Sequence, residues 1–323
     1  MRMVTLSVNQ ILSRELEQLD AQLKIRSQTK VKMINMLSDH IISSGGKRLR
    51  PIILMLSAYA SNSHAQDTII NASVIVEFIH AATLLHDDVV DMSKIRHSQD
   101  TANIIWGNKG AVLVGDFLYS RAFEIIVEIN NSLIYETLAK TTNTIAQGEV
   151  MQLMNIGNID LEENLYMDII YRKTAILFEA SARIGSILSN DHSSNSLASF
   201  GRHFGKAYQF RNDYLDYFGS TDSTGKNAVE DLHEGKATLP IIHSLQEADK
   251  NDEDFLREAY KDTEKADGES IIKILKKYKS DLYIESKITE ETELAISSLD
   301  PLSSSKYKDQ LISLALFCKE RVS

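Results

Sequence analysis

Two short acidic runs carry the clearest chemical signal in the chain. Asp87, Asp88 and Asp91 stand in Leu84-Leu85-His86-Asp87-Asp88-Val89-Val90-Asp91, and Asn212, Asp213 and Asp216 repeat the spacing more than a hundred residues later. On a helix, positions i, i+3 and i+4 share a face, so each run predicts a stripe of hard oxygen donors. Left unneutralised, such a stripe opposes folding. Two stripes facing across a cavity would hold magnesium ions, which prefer carboxylate and phosphate oxygens and keep part of their water shell. The candidate ligands are Asp87, Asp91, Asn212, Asp213 and Asp216, with Asp88 beside them as part of the reacting machinery. That arrangement asks for a polyphosphate.

Basic residues to meet it are scattered along the chain. In Gly45-Gly46-Lys47-Arg48-Leu49-Arg50-Pro51 two glycines suited to a helix end precede three cations and a proline suited to a helix start. Lys47 and Arg50 can clamp a diphosphate, or merely answer a helix dipole and solvent. His80 lies two helical turns before Asp87, where it is either a satisfied core histidine or a donor to phosphate. His86, Arg96 and His97 crowd the same stretch, and Arg96 follows the first stripe closely enough to reach back to its ligand. Lys173-Thr174 opens an otherwise apolar stretch, and Lys226 and Lys236 sit in glycine-flanked loops after the second stripe. Loop lysines commonly only solubilise, but beside a metal-bound diphosphate they would stabilise charge on a departing pyrophosphate.

These side chains need a scaffold, and composition predicts a helical one. Among 323 residues only Pro51, Pro240 and Pro301 are prolines, 43% are hydrophobic, and no linker-like stretch appears. Helical periodicity recurs between short polar breaks, while strand alternation is not sustained. Long helices are expected from near Asp67 or Thr68, as cap, to Asp91, and over 111–128, 133–154, 165–188 and 197–218. The charged stretch 247–270 reads as a solvated pair of short helices. A net charge of -10 argues against nucleic acid and anionic lipid as partners. Cys318 leaves no disulfide framework, no signal segment opens the chain, and the apolar run 69–85 is broken by Asn71, Glu77 and His80, so no integral membrane segment is expected.

The ordered set Gly46 to Pro51, Glu77-Phe78-Ile79-His80, Leu84 to Asp91, Val114-Gly115-Asp116-Phe117, Gly148-Glu149-Val150, Lys173-Thr174, Tyr208-Gln209, Gly225-Lys226-Asn227 and Glu234-Gly235-Lys236 resembles the trans-type polyprenyl diphosphate synthases. Within that family the resemblance is to the octaprenyl branch that makes quinone (ubiquinone) side chains. It implies an all-α, single-domain bundle over 1–323 around a central cavity, of the isoprenoid synthase type, acting as a cytoplasmic homodimer. It further implies an isopentenyl diphosphate site at Lys47, Arg50 and His80, with His97 on that side. An allylic prenyl diphosphate site would follow at Arg96, Lys173, Thr174, Gln209, Lys226 and Lys236. Asp87, Asp88, Asp91, Lys173 and Lys226 would carry the reaction with Mg2+, and no side-chain nucleophile is required.

Two departures from the family pattern bear on activity. Asn212 replaces the aspartate that usually opens the second run, and an amide oxygen brings no charge to a metal. His97 replaces a second arginine and is largely neutral at neutral pH. Ala82 and Thr83, one turn before Asp87, are small where bulky aromatics would floor a pocket, so they leave room for a long chain or else serve close helix packing; about 20 helical residues give roughly 30 Å of depth. Phe78, Ile79 or Met151 are candidate floors. The competing expectations are a catalytically impaired or regulatory subunit of a heteromeric prenyl synthase, and a terpene cyclase. Lys47, Arg50, His80 and Asp216 speak against the cyclase.

Overall fold

The structure is a computed structural model that describes residues 8, 10–43, 46–96, 99–189, 194–219, 229–263 and 266–320. Its contacts group the chain into two compact units, Met1–Thr142 with Ala180–Ala198 and Leu299–Ser313, and Asn143–Glu179 with Ser199–Ser298 and Leu314–Ser323. Helices dominate both, as a sequence poor in proline and rich in apolar residues at helical spacing requires.

In the first unit α1 (Ser13–Ser27), α2 (Lys32–Ser43) and α3 (Leu49–Ala60) surround α4 (Gln66–Val90), which packs along α5 (Ala102–Ile129). A two-residue hairpin, β1 (Ile95–Arg96) with β2 (Gln99–Asp100), joins α4 to α5. Among the described residues α4 alone is long and apolar enough to cross a membrane, and 72% of its apolar window is buried within the protein. Its predicted cap is corrected: the helix starts at Gln66 after Ala65, with no side-chain cap, and Asp67 lies in the first turn, where its charge favours the helix dipole. The helix expected from Ala111 begins earlier, with a break at Gly107, whose φ of 77° only glycine adopts without strain.

The second unit begins within α6 (Ser132–Met154) and continues through α7 (Glu163–Ile170), a π-turn (Tyr171–Ala175) and the first residues of α8 (Ile176–Ile187), whose part from Ala180 on belongs to the first unit, as does the start of the next helix to Ala198. The uninterrupted helix expected over 165–188 is thus corrected to two helices with an inserted π-turn. Then come α9 (Ser194–Phe218), the short α10 (Glu230–His233), α11 (Leu239–Glu247), α12 (Lys250–Lys261), α13 (Gly268–Lys277), α14 (Ser280–Ser298) and α15 (Lys306–Lys319). The charged stretch forms two short helices, as read: Asp249 and Asp267 cap α12 and α13 by accepting backbone N–H groups.

Candidate active site

The first acidic run occupies the last turn of α4. Most of this helix is enclosed; solvent reaches its C-terminal half along His80, Thr83, Leu84, Asp87 and Asp91, one line at helical spacing, and also at His86, Val89 and Val90. Asp88 is turned about 100° away from Asp87. It is 1% exposed, and its Oδ1 accepts from Arg96 Nε at 2.9 Å and pairs with Arg96 Nη2 at 2.8 Å. The expectation of one three-carboxylate stripe is therefore corrected to two outward groups and one inward anchor. Burial pushes the Asp88 carboxyl above its ordinary pKa even against the pull of Arg96. Asn103 Nδ2 donates to the Asp88 carbonyl (3.0 Å) and the Ser93 carbonyl (3.2 Å), and Thr101 Oγ1 donates to Ser93 O (2.7 Å). These bonds tie the hairpin that carries Arg96 to the end of α4. His97 lies outside the described residues.

His86 serves the fold. Its Nε2 lies 3.2 Å from the Val112 carbonyl and 3.5 Å from Asp116 Oδ1. A Cβ on Gly115 would meet only that ring, so the His86 side chain would have to turn to admit one.

The structure also sorts the cations between Gly46 and Pro51. Arg48, in the left-handed region at φ 48°, turns inward and donates to Glu77 Oε1 (2.5 Å) and to the Ile42 carbonyl (2.7 Å). Lys47 is exposed and Arg50 half-buried. Glu77 is buried one turn before His80 on α4, so the Arg48–Glu77 bond docks the Lys47-to-Arg50 turn beside the helix that carries His80. One turn on, Thr83 is half-buried with its hydroxyl on the His80 carbonyl (2.8 Å), whereas Ala82, Phe78 and Ile79 are enclosed.

In the second unit Lys173 and Thr174 ride on the π-turn, a distortion that recurs at functional sites. Gly148 of α6 admits it: a Cβ there would stand 2.7 Å from Arg172 Cβ and 2.9 Å from the Lys173 nitrogen. Lys173 Nζ pairs with Glu149 Oε2 at 2.6 Å. Thr174 Oγ1 donates to Gln209 Oε1 (3.0 Å), and Gln209 Nε2 donates to Asp213 Oδ1 (2.7 Å). The buried Tyr166 hydroxyl donates to the other Asp213 oxygen. Asp213 is 1% exposed, and burial first, then the neighbouring Asp231 carboxylate, push its pKa up to about 8. Asn212 is exposed and Asp216, one turn further on, is half-buried. Asp216 also accepts the backbone N–H groups of Glu230 and Asp231, each at 3.2 Å, at the start of α10.

Both runs thus follow one rule. The first and fifth residues lie on the accessible face, and the second is turned in and held by hydrogen bonds. Among the described residues no three acidic, histidine or cysteine groups converge into a ready-made metal cage. That suits a divalent ion bound through one or two carboxylates together with phosphate oxygens, and Asp87 with Asp91, and Asn212 with Asp216, are oxygen donors of the right kind for it. Arg211, immediately before Asn212, adds no charge to the accessible face: it lies buried with its guanidinium 4.5 Å from the Phe317 ring centroid. Lys236 Nζ pairs with Glu234 at 2.7 Å, and Lys226 lies outside the described residues. Sequence reasoning missed Tyr166 and gave no role to Glu149; the first has no local signal, and the second stood inside a motif already noted.

Helices arranged in this way, with paired acidic runs, define an all-α protein of the isoprenoid synthase fold. The model of the polyprenyl synthetase family matches residues 31–278, and the chain belongs to that family. It is 36% identical to the octaprenyl diphosphate synthase of Escherichia coli K12, over 97% of this chain and 98% of the relative. To the geranyl-diphosphate-specific all-trans-nonaprenyl-diphosphate synthase of Rhodobacter capsulatus it is 38% identical, over 91% of each chain. The crystal structure of a Caulobacter crescentus CB15 polyprenyl synthase complexed with calcium and isoprenyl diphosphate superposes with a TM-score of 0.93 at 34% identity, covering 98% of both chains.

Proposed function

We propose that this chain is a magnesium-dependent prenyltransferase that condenses isopentenyl diphosphate onto an allylic prenyl diphosphate. Its product is a long all-trans polyprenyl diphosphate, octaprenyl by likeness to its relatives, for quinone side chains. The observation that carries the reading is the shared geometry of the two acidic runs, each offering its first and fifth residues outward from a second residue locked in place. Preorganised donors cost no reorganisation when charge develops.

Asp87 with Asp91, and Asn212 with Asp216, would hold magnesium, which would supply charge neutralisation for the diphosphate. Lys173, Thr174 and Gln209, with Arg96, Lys226 and Lys236, bind the allylic diphosphate. Lys47, Arg50 and His80, with His97 nearby, bind the isopentenyl diphosphate. The allylic C–O bond breaks with its electron pair leaving on pyrophosphate, whose growing charge Lys173 and Lys226 stabilise. The isopentenyl double bond then attacks the allylic cation, and loss of a proton to pyrophosphate sets the new trans double bond. Ala82 and Thr83 leave space for the growing tail. The chain acts as one functional domain over 1–323, a reading supported by a family match over 31–278 that includes residues of both units, and as a cytoplasmic enzyme.

Farnesyl diphosphate, isopentenyl diphosphate and magnesium should give a ladder of products ending in a long polyprenyl diphosphate. A purified chain that elongates nothing overturns the proposal. One observation favours a second reading, an impaired or regulatory subunit: the accessible Asn212 carries no charge. Asn212→Asp separates the two, since a rise from near-zero activity supports the subunit, and a modest fall in the magnesium needed supports the enzyme.

A further inference from the structure

The π-turn is also gripped through Tyr171, which is not among the residues proposed to contact a diphosphate. Tyr171, its first residue, donates its hydroxyl to Glu179 Oε2 at 3.2 Å. Glu179 is buried, and Arg202 of α9 holds both its oxygens, Nε to Oε2 at 2.9 Å and Nη2 to Oε1 at 3.1 Å, with the guanidinium 5.8 Å from the Tyr171 ring centroid. A two-point fork onto a buried carboxylate is geometrically strict, and the buried charge keeps Arg202 in place.

The spacing of the pair matters more than its strength. Residues eight apart in an unbroken α-helix are turned about 80° from one another, at ~100° per residue. One inserted residue leaves them about 20° apart, two turns along the same face. Tyr171 and Glu179 therefore line up only while the π insertion is present. If the turn relaxed to α geometry, the side chains before it would swing by about 100°. That swing would break the bond to Glu179 or move Lys173 and Thr174 off Glu149 and Gln209.

We infer that Glu179 and Arg202 are positioning residues which, acting through Tyr171, latch the π register that presents Lys173 and Thr174 to the allylic diphosphate. This rests on the proposed function. Neither residue belongs to the acidic runs or to the basic set that the diphosphates are proposed to contact.

The test compares Tyr171→Phe, which deletes one hydroxyl and leaves the buried ion pair intact, with Glu179→Gln. Each should raise the KM for farnesyl diphosphate about tenfold, as loss of an outer supporting contact does at comparable sites. The KM for isopentenyl diphosphate should stay unchanged, and amide hydrogen exchange should quicken at 171–176 but not along the rest of α8. The inference is overturned if both KM values rise together with a fall in Tm, or if exchange at 171–176 is unaltered. Should Glu179→Gln fail to fold, Tyr171→Phe decides alone. The exchange measurement needs no turnover, so a chain that elongates nothing would remove the functional reading while the latch still stands or falls on its own amides.

Discussion

Adjacent aspartates in one motif are built for different tasks. Asp87 stands on the accessible line of α4, whereas Asp88 is sealed against Arg96, and the same division separates Asn212 from Asp213. The division makes the two neighbours experimentally separable. Asp87→Ala should lower kcat about 100-fold or more, as loss of a metal or electrostatic group does, with the denaturation midpoint nearly unchanged. Asp88→Ala instead leaves the Arg96 fork without its acceptor and should cost about 1–3 kcal/mol of stability, read from urea unfolding. Equal effects on stability from both would contradict the assignment. Tyr166 belongs to the same logic, because its hydroxyl donates to the buried Asp213 carboxyl and holds it in place.

At the level of elements, the site depends on helices brought closer than side chains allow. Gly205 of α9 faces the π-turn, where a Cβ would lie 2.5 Å from Ala175 Cα, a backbone atom that cannot step aside. Gly115 meets only the His86 ring, a side chain that can rotate. Gly205→Ala should therefore destabilise by about 1–3 kcal/mol through overpacking. For Gly115→Ala, the gain of about 1 kcal/mol in helix propensity offsets much of the strain. A thermal-shift comparison of the two variants checks the ordering. The π-turn itself was not legible in the sequence: helical periodicity reads the same on either side of an inserted residue, and the insertion is held by Gly148, Gly205 and Glu179, none of them adjacent to it.

At the scale of the whole molecule, the outer face of α5 is more apolar than a solvated helix needs. Leu113 is 67% exposed, Phe123 46% and Val127 70%, spaced to form one stripe. A second copy of the chain is the occupant we propose, in line with the homodimer expected from the resemblance. Sedimentation should find a dimer, and Leu113→Glu with Val127→Glu should shift it toward monomer; a wild-type monomer at micromolar concentration would refute the stripe as an interface.

The sequence by itself determined the helical class, through few prolines and sustained helical spacing, and it determined which residue types are available for chemistry, through motifs whose order and spacing can be checked one by one. Only the tertiary structure decided which way those residues turn. Spacing places Asp88 beside Asp87 but does not say that Arg96 draws it inward; composition counts Lys47, Arg48 and Arg50 alike, but Glu77 takes Arg48 alone. Arg211 likewise reads as a site cation until Phe317, more than a hundred residues later, is found against it. Local periodicity encodes the pitch of a helix, while its rotation about its own axis is set by partners distant in sequence.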